Sequence, residues 1–310
     1  VALDWSKISE LTITLSSDFA NDQAILKLLP GYLPWKFLES ATIEINSEPF
    51  TTYLASREIN FSDSLFEGIV MEIREADTYT QVLIAAPSTL LTRNEVTQSF
   101  EEDTSIADIV KEIAPDFHLH TDSWSASSKT YYDASSAGKT IMEFLEEIAD
   151  SVDKKVYVRG FNIYMVSEMP ETTTSTITLD PKWISKTGEK QTGGSDAYTK
   201  VIARGFVWVE DDVVEEEEIL IPDAAKELID VVEPEDDVED RNDLRAILNK
   251  RVREIKEKTN TRRFEMPFDP RIKPLVKLDF EGTIYIASEV EHRITRREWT
   301  TEVIAYAASD

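Results

Sequence analysis

Asp269-Pro270-Arg271-Ile272-Lys273-Pro274, then Thr283-Ile284-Tyr285-Ile286-Ala287-Ser288-Glu289-Val290-Glu291-His292-Arg293, is the stretch whose reading decides the fold. Residues 275–280 and Trp299–Ala307 flank the longer run, giving a short strand followed by two long ones with matched apolar and polar positions. A turn-rich entry followed by alternating strands predicts a β domain that closes the chain. Such strands build assembly surfaces more readily than catalytic pockets.

Upstream, the first hundred residues also read mostly as strand. Leu11-Thr12-Ile13-Thr14-Leu15 and Ala41-Thr42-Ile43-Glu44-Ile45 alternate, residues 50–61 look extended, and residues 68–73 and 80–85 predict an antiparallel pair. Residues 19–38 read as a packed connection or an apolar loop around Pro30-Gly31 and Pro34. The character changes near Phe100. Asp103 or Thr104 is placed to cap a helix ending at Pro115, with Ile106, Ile109, Val110 and Ile113 on one face. A second helix is expected over about 137–151, with a stripe of Ile141, Phe144, Leu145, Ile148 and Val152. A hairpin around Arg159-Gly160 follows. Residues 170–195 read as strand plus loop, strand character resumes at 198–209, and a helix over about 241–258 carries Leu244, Leu248, Val252 and Ile255 on one side. The expected fold class is therefore α+β, mainly β. Two β-barrel-like domains, 1–100 and 171–310, flank an α/β module at 101–170, and the last domain carries an acidic and helical insertion at about 210–260.

Composition removes whole function classes. Apolar residues make up 41 % of the chain, well above the level of disordered sequences, and there is no cysteine. Disulfides, thiolate metal sites and cysteine nucleophiles are thus excluded. No apolar run reaches membrane-spanning length and no export signal is recognisable, so a soluble protein is expected. The net charge of −27 argues against non-specific nucleic-acid binding, which needs clustered Lys and Arg. Residues 210–240 hold sixteen acidic side chains and one lysine, whereas residues 241–263 hold nine basic and three acidic ones. The first block reads as a solvated acidic loop; a contact between subunits through the two blocks is the alternative.

Four motifs invite chemical readings. Ala137-Gly138-Lys139-Thr140 ends like a phosphate loop, but Asp133 stands where the first glycine should be, and Ser135 and Ser136 explain the stretch as a helix cap. His118-Leu119-His120 with Asp122 would put two imidazoles on one face of a strand, without a third ligand nearby. His292 has no Gly-x-Ser-x-Gly partner for a triad. Trp183, Trp208 and Trp299 lie in or beside strands, where core packing or an interface belt explains them better than ligand stacking. No catalytic, cofactor-binding or metal-binding residue is assigned, and no cofactor is expected.

The order of elements resembles the tail hub or baseplate hub proteins of tailed viruses and contractile injection systems, including the late-control protein D type. The resemblance is carried by the helix of residues 103–113, by the helix and hairpin of 138–166, and by Asp269-Pro270 with Ile286-Ala287-Ser288-Glu289-Val290-Glu291-His292-Arg293-Ile294 and Trp299-Thr300-Thr301-Glu302-Val303. It implies a non-enzymatic structural protein of the virion tail baseplate or tail tip, assembled in the host cytoplasm. It further implies a homotrimer forming a pseudo-sixfold ring that joins the tail tube to the central spike or tip and lets the genome pass. Implied partners are the tail tube protein, the spike or tail-tip protein and the tape-measure protein. The alternatives are a peripheral tail-tip or fibre adaptor, and a cell-wall-degrading enzyme used in entry.

Overall fold

A computed structural model describes residues 4–308 apart from 18, 20, 45–47, 60, 62, 98–99, 101–103, 122–137, 151–153, 167–175, 193–197, 211, 221–227, 235–237 and 239. The amino-terminal strands are β1 (Ile8–Ser16), β2 (Gln23–Leu28), β3 (Ser40–Glu44), β4 (Ser64–Ala76) and β5 (Tyr79–Ala85), with helix α1 (Glu48–Ser56) between β3 and β4 and the single turn α2 (Ser88–Leu91) after β5. Helices α3 (Ile106–Ile113) and α4 (Ile141–Asp150) and the hairpin β6 (Lys155–Arg159) and β7 (Asn162–Val166) follow. Next come β8 (Thr176–Thr178), β9 (Lys186–Thr192), β10 (Lys200–Val207), β11 (Asp212–Ile219) and β12 (Ile229–Val232), and then α5 (Arg241–Thr259). The chain closes with β13 (Asn260–Pro267), β14 (Lys277–Phe280), β15 (Thr283–Thr295) and β16 (Trp299–Ala307).

Strands from both ends of the chain share one sheet, in the order β3-β4-β5-β2-β1-β15-β16-β13-β9, with β14 branching from β15 and β8 pairing with β14. The join is the antiparallel pairing of β1 with β15, which sets Leu11 opposite Ile294, Ile13 opposite His292 and Leu15 opposite Val290. Those inward positions belong to one apolar core, which also takes Leu26 of β2, Val82 of β5 and Val303 of β16. The mainly β, α+β expectation agrees with this architecture, whereas closure into barrels is not shown by the strand pairing. Among the described residues no sheet closes on itself: the path runs open from β3 to β9. Alternation within each strand predicts which side is buried but not whether the end strands meet.

Two further local readings change. Residues 50–56 are helical rather than extended: Phe50, Tyr53 and Leu54 recur at helical spacing and pack on the main core, overriding the strand preference of Thr51, Thr52 and Tyr53. Residues 23–28, taken as part of a connection, form β2, whose Ala24, Leu26 and Leu28 point inward. The turn between β14 and β15 uses Glu281 and Gly282, both at positive φ (54° and 83°), the backbone that a tight two-residue hairpin requires.

The two remaining cores are local. Helix α3 and the Ile141, Phe144, Leu145 and Ile148 stripe of α4 pack in one cluster with Val156, Val158 and Ile163 of the hairpin, and Val152 lies outside the described residues. The cap of α3 is Ser105, whose Oγ accepts from the Asp108 amide, rather than Asp103 or Thr104. The acidic block corrects the loop reading. Residues 212–219 form β11, which with β10 and β12 makes a three-stranded sheet in the order β11-β10-β12. Helix α5 covers one face of that sheet through Leu244, Leu248, Val252 and Ile255.

Candidate assembly surface

The outward face of the main sheet is built by the same alternation that builds its core. Register aligns Gln23, Thr14, Glu291, Glu302 and Glu265 in one row across β2, β1, β15, β16 and β13. The adjacent row runs Ile25, Thr12, Arg293 and Thr300. This face is therefore mostly Thr, Glu, Arg and Lys. Glu10 gathers two cations on it: Lys27 Nζ at 2.6 Å and Arg293 Nη2 at 3.0 Å. The hydrogen bond from Lys27 holds the Glu10 carboxyl below the usual carboxylate range. Three glutamates stand directly opposite one another on neighbouring strands, and Arg263 ion-pairs with the middle one, Glu302. Like charges in directly opposed positions oppose pairing, so this row is not explained by sheet stability.

Beneath that face lies a buried polar node that stabilises the carboxy-terminal strands. Fully buried His292 places Nδ1 2.9 Å from Thr301 Oγ1 and Nε2 3.1 Å from the Ile272 carbonyl. Thr301 Oγ1 also accepts from the Asp269 amide at 2.9 Å, and the Asp269 carboxylate takes the Arg271 guanidinium in a bidentate pair. A neutral imidazole donating from Nε2 to the carbonyl and accepting the Thr301 hydroxyl proton at Nδ1 satisfies every one of these groups. Burial pushes its pKa down to about 4. The Asp269-Pro270-Arg271 entry and the histidine, separate features in sequence, thus meet in one clasp. Its hydroxyl, Thr301 Oγ1, is fully buried and held by both His292 and the Asp269 amide, so the clasp serves packing.

Elsewhere the motifs resolve into structure. Thr140 caps α4 in a capping box: its Oγ1 accepts from the Glu143 amide, and Glu143 Oε2 accepts from the Thr140 amide at 2.7 Å. Lys139 ion-pairs with Glu147, so neither residue of the phosphate-loop-like stretch is set to hold a phosphate. Asp133, Ser135 and Ser136 lie outside the described residues, and Thr140 takes the capping role expected of the serines. His118 sits in the left-handed region (φ 58°) ending a short 3-10 turn, whereas His120 pairs its backbone with the Asn162 strand; the two do not share a strand face. Asp122 lies outside the described residues. Among the described residues no group of three or more His, Cys, Asp or Glu is placed to hold a metal ion. Trp299 stacks on Phe50 at 4.4 Å and packs on Tyr53, a core role. Trp183 and Trp208 are exposed, with the Arg57 guanidinium 4.5 Å above the Trp183 ring.

The acidic block finds its counter-charges within the chain. Arg204 pairs with Glu215 and Lys200 with Glu217 across the β10–β11 ladder. Arg241, the first residue of α5, ion-pairs with Glu210 and lies 3.6 Å from Glu216, and Arg251 reaches Asp230 at 2.6 Å. Part of the acidic and basic blocks thus meets within one chain rather than between subunits. Sequence inspection missed these pairs because the register of β10 on β11 brings them together.

The 43 kDa tail protein of prophage MuSo2 from Shewanella oneidensis matches over 96 % of this chain and 93 % of its own, with a TM-score of 0.64 and 9 % identity. The tail protein of Neisseria meningitidis MC58 matches over 97 % and 92 %, with a TM-score of 0.63 and 11 % identity. The chain has the fold of phage tail proteins. That tail-protein fold extends to a component of the E. coli type VI secretion system described as similar to T4 bacteriophage tail proteins gp27 and gp5. The match there covers 98 % of this chain and 74 % of that one, with a TM-score of 0.52 and 8 % identity. No protein-family model matches the sequence, and no curated protein does either. The tail-protein fold therefore persists here with little of its sequence, as expected when alternation and element order, rather than particular side chains, specify the sheet.

Proposed function

We propose that this chain is the structural hub of a phage tail or a related injection machine, in which three copies close a ring between the tail tube and the central spike or tip. The observation that carries this reading is the single open sheet that runs through both ends of the chain, with one face in the core and the other polar. Among the described residues no further strand pairs with β3 or β9, and such sheet edges are ones an isolated protein must protect and a ring can bury against the next copy. Its polar face, turned inward, lines a water-filled channel. The row of Glu291, Glu302 and Glu265 gives that wall an acidic stripe, and like charge keeps a passing polyanion from adhering. The repulsion that the row costs the isolated sheet then has a use in the assembly. The tail-protein fold over nearly the full length of two tail proteins, one of them from a prophage, supports the same reading, with the tube protein, the spike or tip protein and the tape-measure protein as neighbours and the virion tail as the location.

The ring is tested by the mass of the purified chain in solution across salt concentrations, alone and with purified tube and spike proteins. A trimer, alone or formed on either neighbour, supports the reading. A monomer that joins neither protein overturns it, and attachment as single copies at the particle periphery assigns the chain to an adaptor instead.

A further inference from the structure

Among the described residues nothing covers one sheet face. The sheet β11-β10-β12 buries Val201, Ala203, Val207 and Val214 beneath α5. The alternate positions face solvent: Phe206 and Trp208 at the end of β10, Val213 and Ile219 on β11, Ile229 and Val231 on β12. Trp208, Val213, Ile219, Ile229 and Val231 are between 43 and 63 % exposed. Register makes them one patch rather than scattered residues. Phe206 lies opposite Val213 and edge-on to Trp208, and Lys200 separates Ile219 from Ile229. The charges within the patch cancel, since Arg204 pairs with Glu215 and Lys200 with Glu217. The three strands themselves are acidic, with Asp212, Glu215, Glu216, Glu217, Glu218 and Asp230 against Lys200 and Arg204, a net of −4.

We propose that this face is a docking surface for a partner protein whose contact patch has an apolar centre and a rim of Lys and Arg. Apolar side chains whose interspersed charges are paired off, set within a charged surround, fit the anatomy of a protein–protein interface, and contiguous exposed apolar surface of this kind is uncommon on a face that stays in water. Charge selects the occupant. A second copy of this chain would bring one net-acidic sheet against another, whereas a basic rim meets a complementary charge. The inference stands apart from the ring, which uses the opposite end of the fold's polarity, the polar face of the main sheet.

Trp208 supplies the readout. Acrylamide quenching of the full-length chain, with Trp208→Phe identifying the part of the signal due to this residue, is followed while two synthetic amphipathic peptides are added. They share one apolar face and differ only in carrying lysine or glutamate around it. The lysine peptide is expected to shield Trp208 and to bind about tenfold or more tightly than its glutamate counterpart, with the difference shrinking as salt rises. Val213→Thr with Ile219→Thr, both on the exposed face, should abolish the shielding while leaving the unfolding midpoint unchanged; Val231→Thr with Ile229→Thr serves if the first pair disturbs folding. Shielding by neither peptide, equal shielding by both, or shielding that grows with the chain's own concentration overturns the proposal.

Discussion

Replacing His292 by Gln should remove a specific pH dependence of stability. In the folded chain burial holds the imidazole pKa at about 4, against about 6.5 in the unfolded chain. The unfolded state therefore takes up the proton first as pH falls. The neutral node contributes fully above about pH 6.5, and its contribution is lost as pH drops from there towards about 4. Across the whole window the difference amounts to about 3 kcal/mol, and between pH 8 and pH 5 to about 2 kcal/mol. Carboxylates act lower. Glu10, held down by its Lys27 hydrogen bond, contributes above its unfolded value of 4.5 and loses that contribution only as pH falls below it. The assay is denaturant unfolding at pH 8, 6.5, 5.5 and 5, comparing the chain with His292→Gln so that the titration of other groups cancels. The substituted chain starts less stable at pH 8, because the Thr301–His292–Ile272 bonding is disturbed, and the gap narrows as pH falls. A gap that stays constant from pH 8 to pH 5 would refute the buried, neutral histidine.

Three further substitutions probe the cores separately. Gly68→Ala should destabilise the main sheet by about 1–3 kcal/mol by overpacking, because the new Cβ would press on the Ala85 carbonyl oxygen and on Phe66 and Ile84; denaturant midpoints report it. Leu248→Ala should cost about 2–5 kcal/mol within the acidic unit, since this side chain is buried between α5 and the β10 sheet. Hydrogen exchange should show faster opening of β10 and β11 and little change in β15 and β16. Thr140→Ala should cost about 1 kcal/mol through loss of the α4 cap, with nucleotide thermal-shift profiles identical for both chains.

Much of the secondary structure was legible because it follows from short-range spacing. The stripes of α3, α4 and α5 and the alternation of β15 and β16 lie within single turns or pleats, and they match the structure to within a few residues. Failures arose where tertiary contacts decide. The Thr-rich segment at 51–53 becomes helical because Phe50, Tyr53 and Leu54 share a face that the core takes up. Four glutamates in a row form a strand because β10 offers Arg204 and Lys200 on the outward side, while on the other side Val214, opposite Gly205, is buried with α5 behind. The pairing of β1 with β15 joins the two ends of the chain, and no local pattern encodes a partner so distant in sequence. The acidic row of Glu265, Glu291 and Glu302 is hidden for the same reason: it exists only once the registers of β13, β15 and β16 are known.

The central claim concerns stoichiometry and orientation together. Electron cryo-microscopy of the purified assembly or intact particle tests both. The account predicts three copies in a closed ring on the axis between tube and spike, with Thr14, Glu291 and Glu302 facing the lumen. Copies placed off the axis, or a ring in which that polar face is turned outward, would contradict it.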